Sequence, residues 1–128
     1  MDAIFGLDRI GQIAVNAKDI TRTTDFYRDR LGIRFLFGAG NMSFFQCGEQ
    51  WLMLGEASDP EFDHPSSILY FDVADIEAAH ARLAERQVEF RSAPHLVHRA
   101  EDYELWLAFF KDSEGNTLAL RSMRPKSA

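Results

Sequence analysis

The sequence has little of what marks a secreted or membrane-spanning protein. One cysteine, Cys47, among 128 residues leaves no internal disulfide to form, so a reducing, cytoplasmic setting is expected. No apolar run approaches the roughly 18 residues needed to cross a bilayer; the longest, from Trp51 to Leu54 and from Leu105 to Phe110, have the length of strands. The N-terminus shows no basic start followed by an apolar stretch, so no secretory signal and no membrane partner are expected. Basic residues are also in deficit. Fourteen Lys and Arg against twenty Asp and Glu give a net charge of −6, which opposes counterion-release binding to a phosphate backbone and removes nucleic acid from the expected partners.

What remains is the balance of a globular domain: 46% hydrophobic and 27% charged residues. The length suits a single domain over residues 1–128 with one core. Asp19 is placed to cap a helix carrying Ile20, Thr24, Tyr27 and Leu31 at helical spacing, and Gly32 to close it. A strand at Ile10–Val15 precedes this helix, and strands at Ile33–Phe37, Ser43–Cys47 and Gln50–Leu54 follow it. The order then recurs. A strand at Ile68–Val73 leads to an Asp75 cap, a helix with Ile76, Ala79, His80 and Leu83 on one face, and short strands near Val88–Phe90, Leu96–Val97, Leu105–Phe110 and Thr117–Leu120. A longer loop is expected around Ala93–Asp102. Asp19-Ile20 matches Asp75-Ile76 at an offset of 56, and Leu52-Met53-Leu54 matches Leu118-Ala119-Leu120 at an offset of 66. Two such units are expected to complete one another's core. Module one then spans about residues 8–55, a Pro60- and Pro65-containing linker residues 56–67, and module two about residues 68–122.

Two stretches carry a family resemblance. Ile13-Ala14-Val15-Asn16-Ala17-Lys18-Asp19-Ile20, leading to Phe26-Tyr27-Arg28-Asp29-Arg30-Leu31-Gly32, resembles the opening of modules of the vicinal oxygen chelate superfamily, which contains glyoxalases, bleomycin-resistance proteins and extradiol dioxygenases. Phe109-Phe110-Lys111-Asp112-Ser113-Glu114-Gly115-Asn116-Thr117-Leu118 is similar to the hairpin that closes them. The resemblance implies an α+β fold of two tandem βαβββ modules, with a curled mixed sheet forming a concave cup. It further implies that four residues, one on the first and one on the last strand of each module, would hold a divalent metal. Here those positions fall on Gln12, Ile68, Met53 and Ala119, of which only Gln12 carries a donor. Metal sites need several imidazole, carboxylate or thiolate groups, so no cofactor is expected.

Strand parity divides the remaining candidates. Ile13, Val15, Leu52, Leu54, Leu69, Phe71, Leu118 and Leu120 are expected beneath the helices. Gln12, Ala14, Trp51, Met53, Ile68, Tyr70, Thr117, Ala119 and Arg121 fall on the opposite face, and Trp106, Ala108 and Phe110 are assigned with them. That inventory suits an aromatic-walled small-molecule site with no carboxylate placed as a general base. The ligand-binding candidates are Gln12, Trp51, Tyr70, His95, Trp106, Phe110 and Arg121. His80 reads as a packed core residue and His64 as a surface one. His95 and His98 share a face only if their strand is bulged or looped; with Gln12 they form the alternative metal set of a glyoxalase-like lyase or isomerase acting on a small carbonyl compound. The first expectation is a small-molecule binder resembling the bleomycin-resistance branch, which implies a homodimer. A catalytically silent dimer that binds a protein partner is the third.

Overall fold

The computed structural model describes residues 5–125. The first module runs β1 (Gln12–Ala17), α1 (Ile20–Asp25), β2 (Arg34–Ala39), β3 (Met42–Cys47) and β4 (Gln50–Glu56). A π-helical turn, Phe26–Arg30, extends α1. The second runs β5 (Leu69–Asp72), α2 (Ile76–Glu85), β6 (His95–Arg99), β7 (Tyr103–Lys111) and β8 (Thr117–Pro125). Each module is thus βαβββ. Both helices begin at the expected caps: the Asp19 carboxylate accepts from Arg22 N and that of Asp75 from Ala78 N, each at 3.1 Å. Gly32, with φ of +73°, ends the first helical segment in the left-handed region that glycine enters without a Cβ clash.

The strands form two four-stranded mixed sheets, ordered β1-β4-β3-β2 and β5-β8-β7-β6. In each, the first strand pairs parallel with the last, and the other neighbours are antiparallel. Register confirms the repeat residue by residue. Ile13 pairs with Leu52 and Ala14 with Met53 in the first sheet; Leu69 pairs with Leu118 and Tyr70 with Ala119 in the second. These pairs are related by the two offsets read from the sequence. The expected strand at Val88–Phe90 is reduced to one bridge between Phe90 and Phe110, while the short strand expected near Leu96–Val97 is present and runs longer, as β6, through much of the loop expected around Ala93–Asp102. That strand is exposed along its whole length, so beyond Leu96 and Val97 it lacks the apolar alternation that would mark its full extent.

One core serves both modules. Val15, Phe26, Tyr27, Phe45, Leu52 and Leu54 from the first cluster with Ile76, Val88, Ala108, Phe110, Leu118 and Leu120 from the second. Removing each such large side chain from water contributes about 1.5–3 kcal/mol, and neither half could bury its own set. The seam is fastened by the hairpin between β7 and β8. The wholly buried Tyr27 hydroxyl donates to Asp112 Oδ2 at 2.7 Å, while Asp112 also accepts from Glu114 N, Asn116 N and Asn116 Nδ2. Glu114 accepts from Thr23 Oγ1, Arg22 and Lys18 N of module one, and Asn116 Nδ2 donates to Asn16 O. The two family-like motifs are therefore opposite halves of one clasp.

Pairing corrects one placement. Ala108 lies opposite Leu120 and Phe110 opposite Leu118, and directly paired residues share a face. Trp106, Ala108 and Phe110 therefore lie on the helix-covered side, and Leu105, Leu107 and Phe109 take the face turned away from the helices, hereafter the open face. The five-residue turn Asp112–Asn116, which pairs Lys111 with Thr117, fixes this parity, which alternation along β7 leaves open. No helix among the described residues is long and apolar enough to cross a membrane.

Candidate functional site

The open faces of both sheets carry the chemistry that the core does not use. In the first module, Ala14, Met53, Phe44 and Phe37 form one cross-strand row. Phe37 and Phe44 stack with centroids 4.6 Å apart, and Trp51 meets both edge-on at 5.7 Å. Offset and edge-to-face geometries of this kind are favoured by the ring quadrupole. Trp51 keeps 38% of its surface exposed, so the cluster is available to a further flat group. Gln12 lies beside it, with Nε2 at 3.7 Å from the Met53 sulfur, a weak acceptor that leaves the amide free for a better partner.

The equivalent row in the second module is Tyr70, Ala119 and Phe109. Tyr70 and Phe109 meet edge-on at 6.1 Å, and Ala119 between them is completely buried. The small residue lets the rings close. His95 stacks on Phe109, at 6.3 Å between centroids. Arg121, on the same face, gives its Nε to Asp72 Oδ1 at 2.6 Å across the β5–β8 pair. Asp72 therefore also stands on the open face, where no carboxylate placed as a general base is expected, and it is engaged by the guanidinium.

Between the modules, Trp51, Ile68 and Tyr70 share a cavity of about 220 Å³ with Ile13, Leu52, Leu69 and Phe71. The sequence candidates Gln12, Trp51, Tyr70, His95 and Arg121 thus stand on open faces, and Trp51 and Tyr70 meet at one cavity. Trp106 and Phe110 do not join them. Phe110 is core; Trp106 lies under the Arg124 guanidinium at 4.5 Å and donates Nε1 to Glu104. That bond, with the one from Arg99, holds the Glu104 carboxyl below its usual range against the opposing effect of desolvation. Phe37, Phe44 and Phe109 were missed. The first two stand within expected strands; alternation of Met42, Phe44 and Gln46 against Ser43, Phe45 and Cys47 holds the signal for Phe44, while Phe37 reaches this face through a bulge in β2.

The bulge condition on the histidines is met. Register shifts between Leu96 and His98, so that His95 faces Leu107 and His98 faces Leu105, which places both imidazoles on the open face. They sit over different rings, His98 beside Tyr103 at 6.2 Å. Gln12 belongs to the other sheet, and no three His, Cys, Asp or Glu side chains among the described residues converge as a metal site. The four positions implied for a divalent cation do not fit one. Met53 offers a thioether, Ile68 and Ala119 offer no donor, and a longer side chain at 119 would have to part Tyr70 from Phe109.

Paired βαβββ modules, a helix-covered core and an open sheet face with candidate binding groups define the architectural class. A profile of the Glyoxalase/Bleomycin resistance protein/Dioxygenase superfamily matches residues 9–120, and the chain belongs to that superfamily. Among solved structures it is similar to a lactoylglutathione lyase from Agrobacterium tumefaciens, at 19% identity and a TM-score of 0.71 over 91% of this chain and 95% of that one. It is also similar to a glyoxalase/bleomycin resistance protein/dioxygenase from Nocardioides, at 16% identity and 0.75 over 98% and 92%. A glyoxalase family protein from Bacillus anthracis aligns at 17% identity and 0.72 over 97% and 100%. Similarity at these identities shows the fold. No curated protein matches the chain in sequence.

Proposed function

We propose that the chain binds a small, partly aromatic or apolar molecule on its open face, by stacking and without a metal. The observation that carries this reading is the pair of aromatic clusters, Phe37–Phe44–Trp51 and Tyr70–Phe109–His95, arranged around positions whose side chains suit hydrocarbon and not a cation. Trp51 and Tyr70 supply flat apolar area at small entropic cost, and Gln12, His95 and Arg121 supply the few polar groups that orient a ligand. Arg121 must share its guanidinium with Asp72. An acidic chain favours a neutral or cationic ligand at long range.

A second copy of the chain is the partner this reading calls for. The segment ahead of β1 holds Phe5 and Leu7 almost fully exposed, at 90% and 95%, and Ile10 at 64%. These residues, together with half-exposed Tyr70 and Ile68, leave apolar surface that a homodimer would cover. A glyoxalase-like lyase would instead need a cation to polarise a carbonyl, and of the four positions implied for one only Gln12 carries a nitrogen or oxygen donor. Thermal-shift screening with planar heteroaromatic compounds tests the proposal: a hit should stabilise the protein in proportion to ligand excess, and Trp51→Ala should abolish the shift. Calorimetric titration with zinc, nickel or manganese should show no one-to-one uptake. Tight stoichiometric uptake would overturn the metal-free assignment.

A further inference from the structure

A second cavity lies beside α2; it shares Phe71 with the cavity at Trp51 and Tyr70, and Phe110 and Leu120 with the core. It occupies about 230 Å³ at the module seam, walled by Leu31 and Ile33 from the first module and by Phe71, Val73 and Leu83 from the second, and two cationic side chains, Arg82 and Arg86, line it as well. An apolar cavity of about 150 Å³ already admits benzene, so this one has room for a phenyl ring and a short tether.

Arg82 lies in the last turn of α2 and Arg86, four residues on, is its C-cap, so both flank the same end of the helix at the cavity. Arg86 is fixed: its Nη1 donates to Arg30 O at 3.3 Å and lies 3.5 Å from where a Cβ on Gly32 would stand. One of its five N–H groups is thereby used, and the others are uncommitted. The Arg82 side chain makes no hydrogen bond or ion pair among the described residues. Elsewhere Arg22, Arg28, Arg99, Arg121 and Arg124 each hold a carboxylate of the chain. Arg82 and Arg86, like Arg9, Arg30, Arg34 and Arg91, hold none among the described residues, and these two stand beside a cavity that is otherwise hydrocarbon.

We propose that this seam cavity binds a small amphipathic carboxylate, with its aryl or short alkyl tail between the modules and its carboxylate on Arg82 and Arg86. Guanidinium groups recognise carboxylates through paired N–H donors, and apolar burial of the tail adds to that term without requiring a polar partner inside. This site does not rest on the open-face reading: it takes its ligand against residues from both modules and shares only Phe71 with the cavity at Trp51 and Tyr70.

The test titrates the full chain with 3-phenylpropionate and with neutral 3-phenylpropan-1-ol, followed by methyl NMR. Saturable shifts at Leu31, Ile33, Val73 and Leu83 are expected for both, the acid binding more tightly. In the doubly substituted R82Q/R86Q protein the acid should weaken at least tenfold while the alcohol stays within about twofold; both changes lie on the exposed helix surface, and unchanged spectra elsewhere verify the fold. Ala79→Phe, which fills the cavity, should abolish both. Shifts confined to the open face, equal loss of acid and alcohol, or no saturation at millimolar ligand would each overturn the proposal.

Discussion

Replacing Tyr27 by Phe removes one hydroxyl from the centre of the clasp and nothing else. Its partner Asp112 is almost fully buried and keeps three donors, from Glu114 N, Asn116 N and Asn116 Nδ2, all within 2.9 Å. A hydrogen bond to a carboxylate is worth about 1.5–3 kcal/mol. The remaining donors keep Asp112 satisfied, so the loss should fall at the low end, about 1.5–2 kcal/mol. With a urea m-value of about 1–3 kcal/mol/M, the unfolding midpoint should drop by roughly 1 M and the slope should not change. Asp112→Asn should cost more, because its amide N–H would confront the Asn116 amide while the turn loses a charged acceptor. The double mutant should be less than additive by about 1 kcal/mol or more. Strict additivity would mean that Tyr27 and Asp112 stabilise the fold separately, and the account of the two motifs as one clasp would be wrong.

Other predictions follow from the same geometry. Glu114 is nearly devoid of solvent contact, and although desolvation raises its pKa, hydrogen bonds from Thr23, Arg22 and Lys18 N outweigh that effect and hold it below the usual carboxylate range. Its contribution to stability should therefore be full above the unfolded-state value of about 4.3 and be lost as pH falls through the lower folded value; Glu114→Gln should flatten that acid limb in equilibrium unfolding. Burial foremost, and then the Asp112 carboxylate, push the Tyr27 hydroxyl far above its ordinary range. Stability should consequently decline as pH rises past about 10, and Tyr27→Phe should remove that part of the alkaline dependence. Gly115 turns the hairpin at φ of +83°; Gly115→Ala should cost about 1 kcal/mol by strain alone, because no atom would crowd the added Cβ, and calorimetry should show it.

The legible parts of the fold were those repeated twice or fixed by local chemistry. Asp19 and Asp75 announced both helices because a carboxylate before an apolar stripe satisfies free N–H groups. The offsets of 56 and 66 showed the repeat because the first and last strands pair in the same register in each module. Face assignment failed on β7, where alternation alone allows Phe109 or Phe110 to face inward; the length of the neighbouring turn, not strand composition, decides between them. On β6 a bulge cancels simple parity, so the shared face of His95 and His98 was accessible only as a condition. Phe37 depended on a second bulge, between Phe35 and Phe37 of β2, which sends Phe35 against Phe45 and Phe37 to the open face. Asp72 was paired with Arg121 by a strand register that no single-strand pattern reveals.

The two tryptophans offer the most direct discrimination, since Trp51 stands on the open aromatic face and Trp106 on the helix-covered one. Labelling both with 5-fluorotryptophan and titrating a planar ligand from the thermal-shift screen should move the Trp51 fluorine resonance saturably and leave that of Trp106 in place. Movement of Trp106 with Trp51 unchanged, or a Trp51 response that appears only when a divalent metal is added, would contradict a metal-free stacking site on the open sheet.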